Sequence, residues 1–306
     1  DVSELTNKET ARQIFEDKID ILVDFSGHSQ GSCLPVMALK PAPIQISAIG
    51  DIHTTGLREM DYFLSDMTCL PPGKPVRGFT ERIALLPYCH LCYAPGIIGE
   101  LPPVGGEPPV VKNGFVTFGS FNNFAKVSRE TLLLWRGVLE ALPEARFIIK
   151  GKIASIPDGR AEVVSRLQNI GIDPARVELR PYSPDYLEQY ADVDIALDTT
   201  PYNGGLTTCE ALVMGVPVIS LRGTTHASRY GATILEHAGL PELVAENGAE
   251  YVKKALRVAR SLPILRKFHA NLRQALRSSR LMDGSAYMKD MEDLYRGLWR
   301  TYCGEG

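Results

Sequence analysis

The chain has 306 residues, 44% hydrophobic and 23% charged, with a formal net charge of -3. A length of this order suggests about two domains, and the composition is that of a globular protein, which excludes a stapled mini-protein, a disordered chain and a basic nucleic-acid-binding surface as starting readings. No apolar run reaches the roughly 18–20 residues of a membrane helix, and the polar, charge-alternating stretch from Asp1 to Lys18 does not read as a secretory signal.

Short apolar runs bounded by turn residues alternate with longer helical patterns, the signature of parallel β-α-β construction. Strands are predicted at Ile19–Phe25, Ile44–Ile49, Phe115–Phe118, Arg146–Ile149, Val177–Leu179, Val193–Leu197 and Val216–Ser220. Nearly continuous Ile/Val/Leu character in several of them suggests cover on both faces. The clearest helix opens on the N-cap Ser128 and buries Leu132, Trp135, Val138, Leu139 and Leu142 before Pro143 stops it. The stretch 95–114, PGIIGELPPVGGEPPVVKNG, carries too many prolines and glycines for a helix or an inner strand and reads as an interdomain linker. From Leu262 onward the pattern is helical, broken at Leu281–Gly284. Residues 1–107 thus read as a partial first lobe with its linker, poor in strands, and residues 108–306 as a complete α/β lobe with C-terminal helices.

Six cysteines (Cys33, Cys69, Cys89, Cys92, Cys209, Cys303) are too scattered for a disulfide framework, and a reducing cytoplasm is the simplest setting. Cys89 and Cys92 have C-x-x-C spacing, but no second pair follows to complete a zinc site, so they read as semi-buried thiols.

The strongest constellation runs from Ile195 to Leu212, IALDTTPYNGGLTTCEAL. A strand ends near Asp198, a loop with Gly204 and Gly205 follows, and a helix begins near Leu206 and Thr207. Such a start offers unpaired N–H groups and the positive end of the helix dipole, and the glycines allow a phosphate close to the backbone. Glu210, one turn further, is placed to accept hydrogen bonds from ribose hydroxyls. An ordinary Gly-rich β-α turn has the same spacing.

A second element, Phe118 to Ser128, again reads strand, loop, capped helix, and projects Asn123 and Lys126 at the crevice edge where open α/β sheets bind ligands. A lysine there can neutralise the charge on a departing diphosphate; alone, it reads as a solvated loop lysine. A third, RPYSPDYLEQY from Arg180 to Tyr190, offers backbone groups around Tyr182 and Ser183 for a base edge and Tyr186 for stacking, or a capped turn with surface tyrosines. Asp192-Val193-Asp194 matches the D-x-D pattern of metal-dependent sugar transferases but runs directly into a buried strand, so no metal ligands are assigned.

These elements, in this order, resemble the catalytic region of the O-GlcNAc transferase and SPINDLY family, particularly its bacterial members. The matching stretches are Asp20–His28 (DILVDFSGH), Lys40–Pro43, Thr55-Gly56, Met60-Asp61-Tyr62, Gly119–Asn123 with Lys126, Asp194–Asp198, Tyr202–Gly205, Thr207–Leu212, Gly215–Pro217, His226–Arg229 and Met282–Gly284. The resemblance implies an α/β fold of GT-B type, two Rossmann-like lobes facing across a cleft, here with an incomplete N-terminal lobe. It implies a metal-independent, inverting glycosyltransferase without cofactor, moving GlcNAc from UDP-GlcNAc to Ser/Thr of protein acceptors. GDP-fucose is the alternative donor, as in SPINDLY relatives, and a catalytically impaired nucleotide-sugar-binding module the alternative role. Partners would be a nucleotide sugar and a protein or peptide, with no nucleic acid or membrane. By position, Lys126 would neutralise the diphosphate with Asn123 and the Gly205–Thr207 helix start, Glu210 would hold the ribose, and Tyr186 would stack on the base.

The family pattern is not followed throughout. No H-P-T loop is found in Asp1 to Lys18, and no tetratricopeptide repeats are present, as expected of one part of a larger polypeptide or of a shortened relative. The family's G-Y-P-G-T segment reads GDIHT over 50–54, which makes His53 a candidate replacement base or simply a loop histidine. His28, at a matching Gly-His position, is the other acceptor-side candidate.

Overall fold

The computed structural model describes residues 1–50, 52–73, 76–95, 100–104 and 106–304. The chain divides into two compact units, residues 1–92 with 283–306, and residues 93–282.

The first unit begins with α1 (Asn7–Glu16), opened by a Thr6/Glu9 capping box. Then follow β1 (Ile21–Asp24), the short α2 (Leu34–Met37), β2 (Ile44–Ser47), β3 (Tyr62–Asp66) and β4 (Arg82–Leu86). The four strands are parallel in the order β1-β2-β3-β4. Sequence patterning finds the first two and misses the others, so this lobe is richer in strands than expected. YFLSD and RIALL are too brief to show a period, and β3 is buried at every residue.

The second unit contains α3 (Pro109–Asn113), β5 (Thr117–Ser120), α4 (Arg129–Ala141), β6 (Arg146–Lys150), α5 (Pro157–Asn169), β7 (Val177–Arg180), β8 (Ile195–Leu197), α6 (Leu206–Val213), β9 (Val218–Leu221), α7 (Tyr230–His237), β10 (Val244–Ala245), α8 (Gly248–Ala259) and α9 (Leu262–Arg277). Its six strands are all parallel in the order β10-β9-β8-β5-β6-β7. In chain order within the unit this is 6-5-4-1-2-3, a doubly wound sheet whose order reverses between β5 and β8. Ser128 caps α4 by accepting from the Thr131 N–H, and the helix buries Leu132, Trp135, Val138 and Leu139 as the spacing predicts; Leu142 ends it only half-buried. Trp135 packs on Phe147 with ring centroids 4.6 Å apart.

Two expectations about the division are corrected. The proline-rich segment belongs to the second unit, so the boundary follows Cys92 rather than residue 107. Arg273 donates to the Pro102 carbonyl, Arg266 pairs with Glu107, and the Val110 N–H donates to Asp194. The segment even holds a helix, α3, because Pro109 stands at its first position, where no N–H is needed, and Gly114 caps its end. Residues 96–99 and 105 of the expected linker lie outside the described residues.

The last helix, α10 (Gly284–Tyr302), belongs to the first unit. Its stripe of Tyr287, Met291, Leu294, Tyr295 and Leu298 packs on Ile44, Ile46, Leu64 and Leu86, covering one face of that sheet.

Candidate nucleotide-binding site

In a doubly wound sheet, ligands bind outside the carboxyl ends of the strands where the order reverses. Here that point lies between β5 and β8, and the loops following those strands are the two that sequence spacing singles out. They are joined by side chains. Asn122 accepts from the Thr207 hydroxyl at 2.8 Å, and Lys126 donates to the Asn203 carbonyl at 3.2 Å. Val127 and Pro201 form an antiparallel bridge, and both Ser128 and Thr131 donate to the Thr200 carbonyl.

Lys126 closes a short 3-10 turn, Phe124–Lys126, whose N-cap is Asn123. Asn123 is expected at the diphosphate; its side-chain oxygen accepts from the Ala125 N–H at 3.1 Å. The Lys126 ammonium also lies 3.8 Å from the centre of the Tyr202 ring. Burial lowers its proton affinity and the charge of Asp198 partly restores it. A half-buried cation that, among the described residues, touches a carbonyl and a ring face and makes no ion pair retains charge for an anionic ligand.

Gly204 and Gly205 lead into α6, and Leu206 at its start is exposed. A Cβ on Gly204 would fall 2.7–2.9 Å from the Thr207 and Thr208 hydroxyls and the Asn122 amide oxygen, so glycine is required by the crowding of the loop. Glu210 is buried, which raises its pKa, while the Tyr186 hydroxyl, donating to it at 2.5 Å, opposes the rise. The side chain expected to stack on a base thus reaches the one expected to hold the ribose. Ser183 lies further out, its hydroxyl accepting from Lys150 at 2.8 Å and from Gln189 at 2.9 Å.

Two buried polar residues of this region escape sequence reasoning. Asn122 bridges the loops. Asp198 lies beneath them, 2% exposed, and takes the N–H groups of Thr199 and Gly204 on one oxygen and the Ser220 hydroxyl on the other. Both sit inside stretches the spacing already marks; what the sequence does not show is which way they face.

The D-x-D pair is engaged otherwise, as its position before a buried strand suggests. Asp194 accepts the N–H groups of Val110 and Thr117, and Asp192 pairs with Arg180. A cavity of about 510 Å3 opens at the other end of this sheet, beside Phe115, Arg146, Arg176 and Glu178. Arg176 is spent there on the carbonyls of Leu139, Leu142 and Ala145, so the hollow is a recess of the sheet edge. The acceptor-side candidates belong to the first unit and both are exposed. His28 follows β1, and His53 stacks on Phe79 at 4.7 Å between centroids.

Residues 1–93 and 110–291 match the sequence profile of glycosyl transferase family 41. The chain is 39% identical over 306 residues to a tomato (Solanum lycopersicum) protein described as a probable UDP-N-acetylglucosamine–peptide N-acetylglucosaminyltransferase SPINDLY, covering 99% of this chain and 32% of the tomato protein. The chain therefore spans about a third of the length of the curated relatives it matches. A solved O-GlcNAc transferase variant from Thermobaculum terrenum superposes with a TM-score of 0.87 at 37% identity, over 99% of this chain and 57% of that one. The Anabaena protein HepE, solved with UDP, shares the fold alone, with a TM-score of 0.58 at 12% identity over 97% of this chain and 84% of its own. The α/β fold is of the GT-B class.

Proposed function

The chain belongs to glycosyl transferase family 41, and from that premise we propose that it moves a sugar from a nucleoside diphosphate donor, UDP-GlcNAc, to Ser or Thr hydroxyls of a protein acceptor. The observation that carries this reading is the meeting of Lys126 with the loop that starts α6, through the Asn203 carbonyl, at the reversal point of the sheet. The description of the tomato relative supports UDP-GlcNAc and a peptide acceptor.

In the reaction, the acceptor oxygen forms a bond to the anomeric carbon from one face while the bond to the diphosphate oxygen breaks on the other, inverting that carbon. The proton of the hydroxyl leaves to a base. Negative charge grows on the departing diphosphate, and a preorganised ammonium and helix terminus stabilise it without reorganising. Two features favour a metal-independent course: this positive charge is supplied by the chain itself, and the D-x-D carboxylates are engaged in its own structure. Glu210 is then the ribose ligand, and Tyr186 lies beside it for the base.

The test is release of UDP from UDP-GlcNAc with peptide acceptors, in the presence of a chelator. Lys126→Ala is expected to lower kcat about 100- to 1,000-fold, the usual effect of removing one preorganised charge-stabilising group, and to weaken UDP binding. Turnover of GDP-fucose with UDP-GlcNAc ignored would reassign the donor; full activity in Lys126→Ala would remove the proposed mechanism.

A further inference from the structure

Asp198 is a buried carboxylate beneath the loop that joins β8 to α6. It makes no ion pair among the described residues. Its charge is met by neutral donors, the N–H groups of Gly204 at 2.7 Å and Thr199 at 2.8 Å and the Ser220 hydroxyl at 2.6 Å, with the Asn122 amide at 3.5 Å. Gly231 at the start of α7 makes room for it, since a Cβ there would lie 2.6 Å from a carboxylate oxygen. The titratable groups facing it are Lys126 from the 124–126 turn and Tyr251 of α8, whose hydroxyl donates to the Asp198 carbonyl; Tyr190 lines the same small hollow. A carboxylate in low dielectric acts over several ångströms, so Asp198 and an anionic ligand of Lys126 would compete for one positive charge.

We propose that Asp198 is a positioning residue of the donor site, coupled through Lys126 and Gly204 to the diphosphate, so that nucleotide-sugar affinity rises when its carboxyl takes up a proton. The proposal rests on the donor-site reading above. The coupling is reciprocal: if protonation favours the donor, the bound donor favours protonation. It falls in an accessible range, because burial outweighs the hydrogen bonds and Lys126 and brings the Asp198 pKa up to about 6. The side chain acts from below the loop and touches no reacting atom.

The experiment is calorimetric titration with UDP-GlcNAc between pH 5 and 8, each point in two buffers of different ionisation enthalpy, so that protons taken up on binding are counted directly. UDP-GlcNAc suits the purpose because both its phosphates are esterified, so it lacks the second ionisation of a phosphomonoester near pH 6. Wild type is expected to bind at least threefold tighter at pH 5 than at pH 8 and to take up a fraction of a proton near pH 6.5. Asp198→Asn keeps an oxygen for the two N–H groups; it should bind at pH 8 about as tightly as wild type at pH 5, with no proton uptake. Ser220→Ala, which removes one donor to the charged form, should move the wild-type profile to higher pH, an effect a merely structural role would not produce and one that serves if Asp198→Asn fails to fold. A flat wild-type profile, or uptake that persists in Asp198→Asn, overturns the proposal while leaving the donor site standing. If Lys126→Ala binds UDP-GlcNAc as wild type does, the donor-site reading falls, and the proposal with it.

Discussion

Tyr186 and Glu210 show how one hydrogen bond decides what a binding side chain has available. The phenol donates to the carboxylate at 2.5 Å, and burial together with that acceptor holds its pKa above the ordinary tyrosine value. Removing only the hydroxyl separates tethering from stacking. Tyr186→Phe is expected to change UDP affinity by no more than about threefold, because the ring remains, whereas Tyr186→Ala should weaken it about tenfold, in line with the roughly 1–3 kcal/mol of a base–aromatic stack. Equal losses in the two variants, measured by titration with UDP, would show that the ring makes no stack. At this scale the sequence is legible where backbone chemistry is local: Gly204, Gly205 and Thr207 announce a loop and a helix start by residue type alone. Asn122 and Asp198 are not, because their importance is a direction, inward, that depends on which strands lie side by side.

Elements were legible in proportion to their length and flanks. α4 could be read to the residue at its N-cap because Ser128 precedes thirteen residues of helix with one apolar face. β3 and β4, at five residues each, offer no comparable pattern. The helicity of α10 was legible, but not its destination, since an apolar stripe states that it must be covered and not by what. Its partner is the β1–β4 sheet, and Met291, 3% exposed, stands at the centre of that contact. Met291→Ala is expected to cost about 2–5 kcal/mol, the range for truncating a buried methionine. Urea unfolding followed by Trp299, on the same helix, would register the loss as a lower midpoint. An unchanged midpoint would mean that α10 does not seal this core.

Across the whole molecule, the two units should answer acid in opposite directions. In the second, burial outweighs hydrogen bonding at Asp194 and Asp198 and brings both carboxyls to about 6. A carboxyl that binds its proton more tightly folded than unfolded contributes stability that is complete below the unfolded value, about pH 4, and lost as the pH rises through 6. In the first unit, Asp66 is buried, which favours its neutral form. The hydrogen bond and charge of His90 and the N–H groups of Cys69 and His90 outweigh this and hold it well below the usual carboxylate range. Its contribution is therefore present above about pH 4 and lost as the pH falls toward the folded value. Glu81 is lowered in the same unit: burial opposes the charge, and hydrogen bonds from Thr54 and Thr55 prevail. Each unit carries one tryptophan, Trp299 in the first and Trp135 in the second, so Trp299→Phe and Trp135→Phe yield separate reporters. Between pH 7.5 and 5, thermal unfolding seen by Trp135 should shift upward by a few degrees, on the order of 1 kcal/mol for each of the two carboxyls, reduced by His269, whose burial lowers its pKa and makes it cost stability as the pH falls. The transition seen by Trp299 should hold steady over that range and fall below pH 4. Parallel shifts of both reporters, in either direction, would contradict the opposite placement of these carboxyls in the two cores.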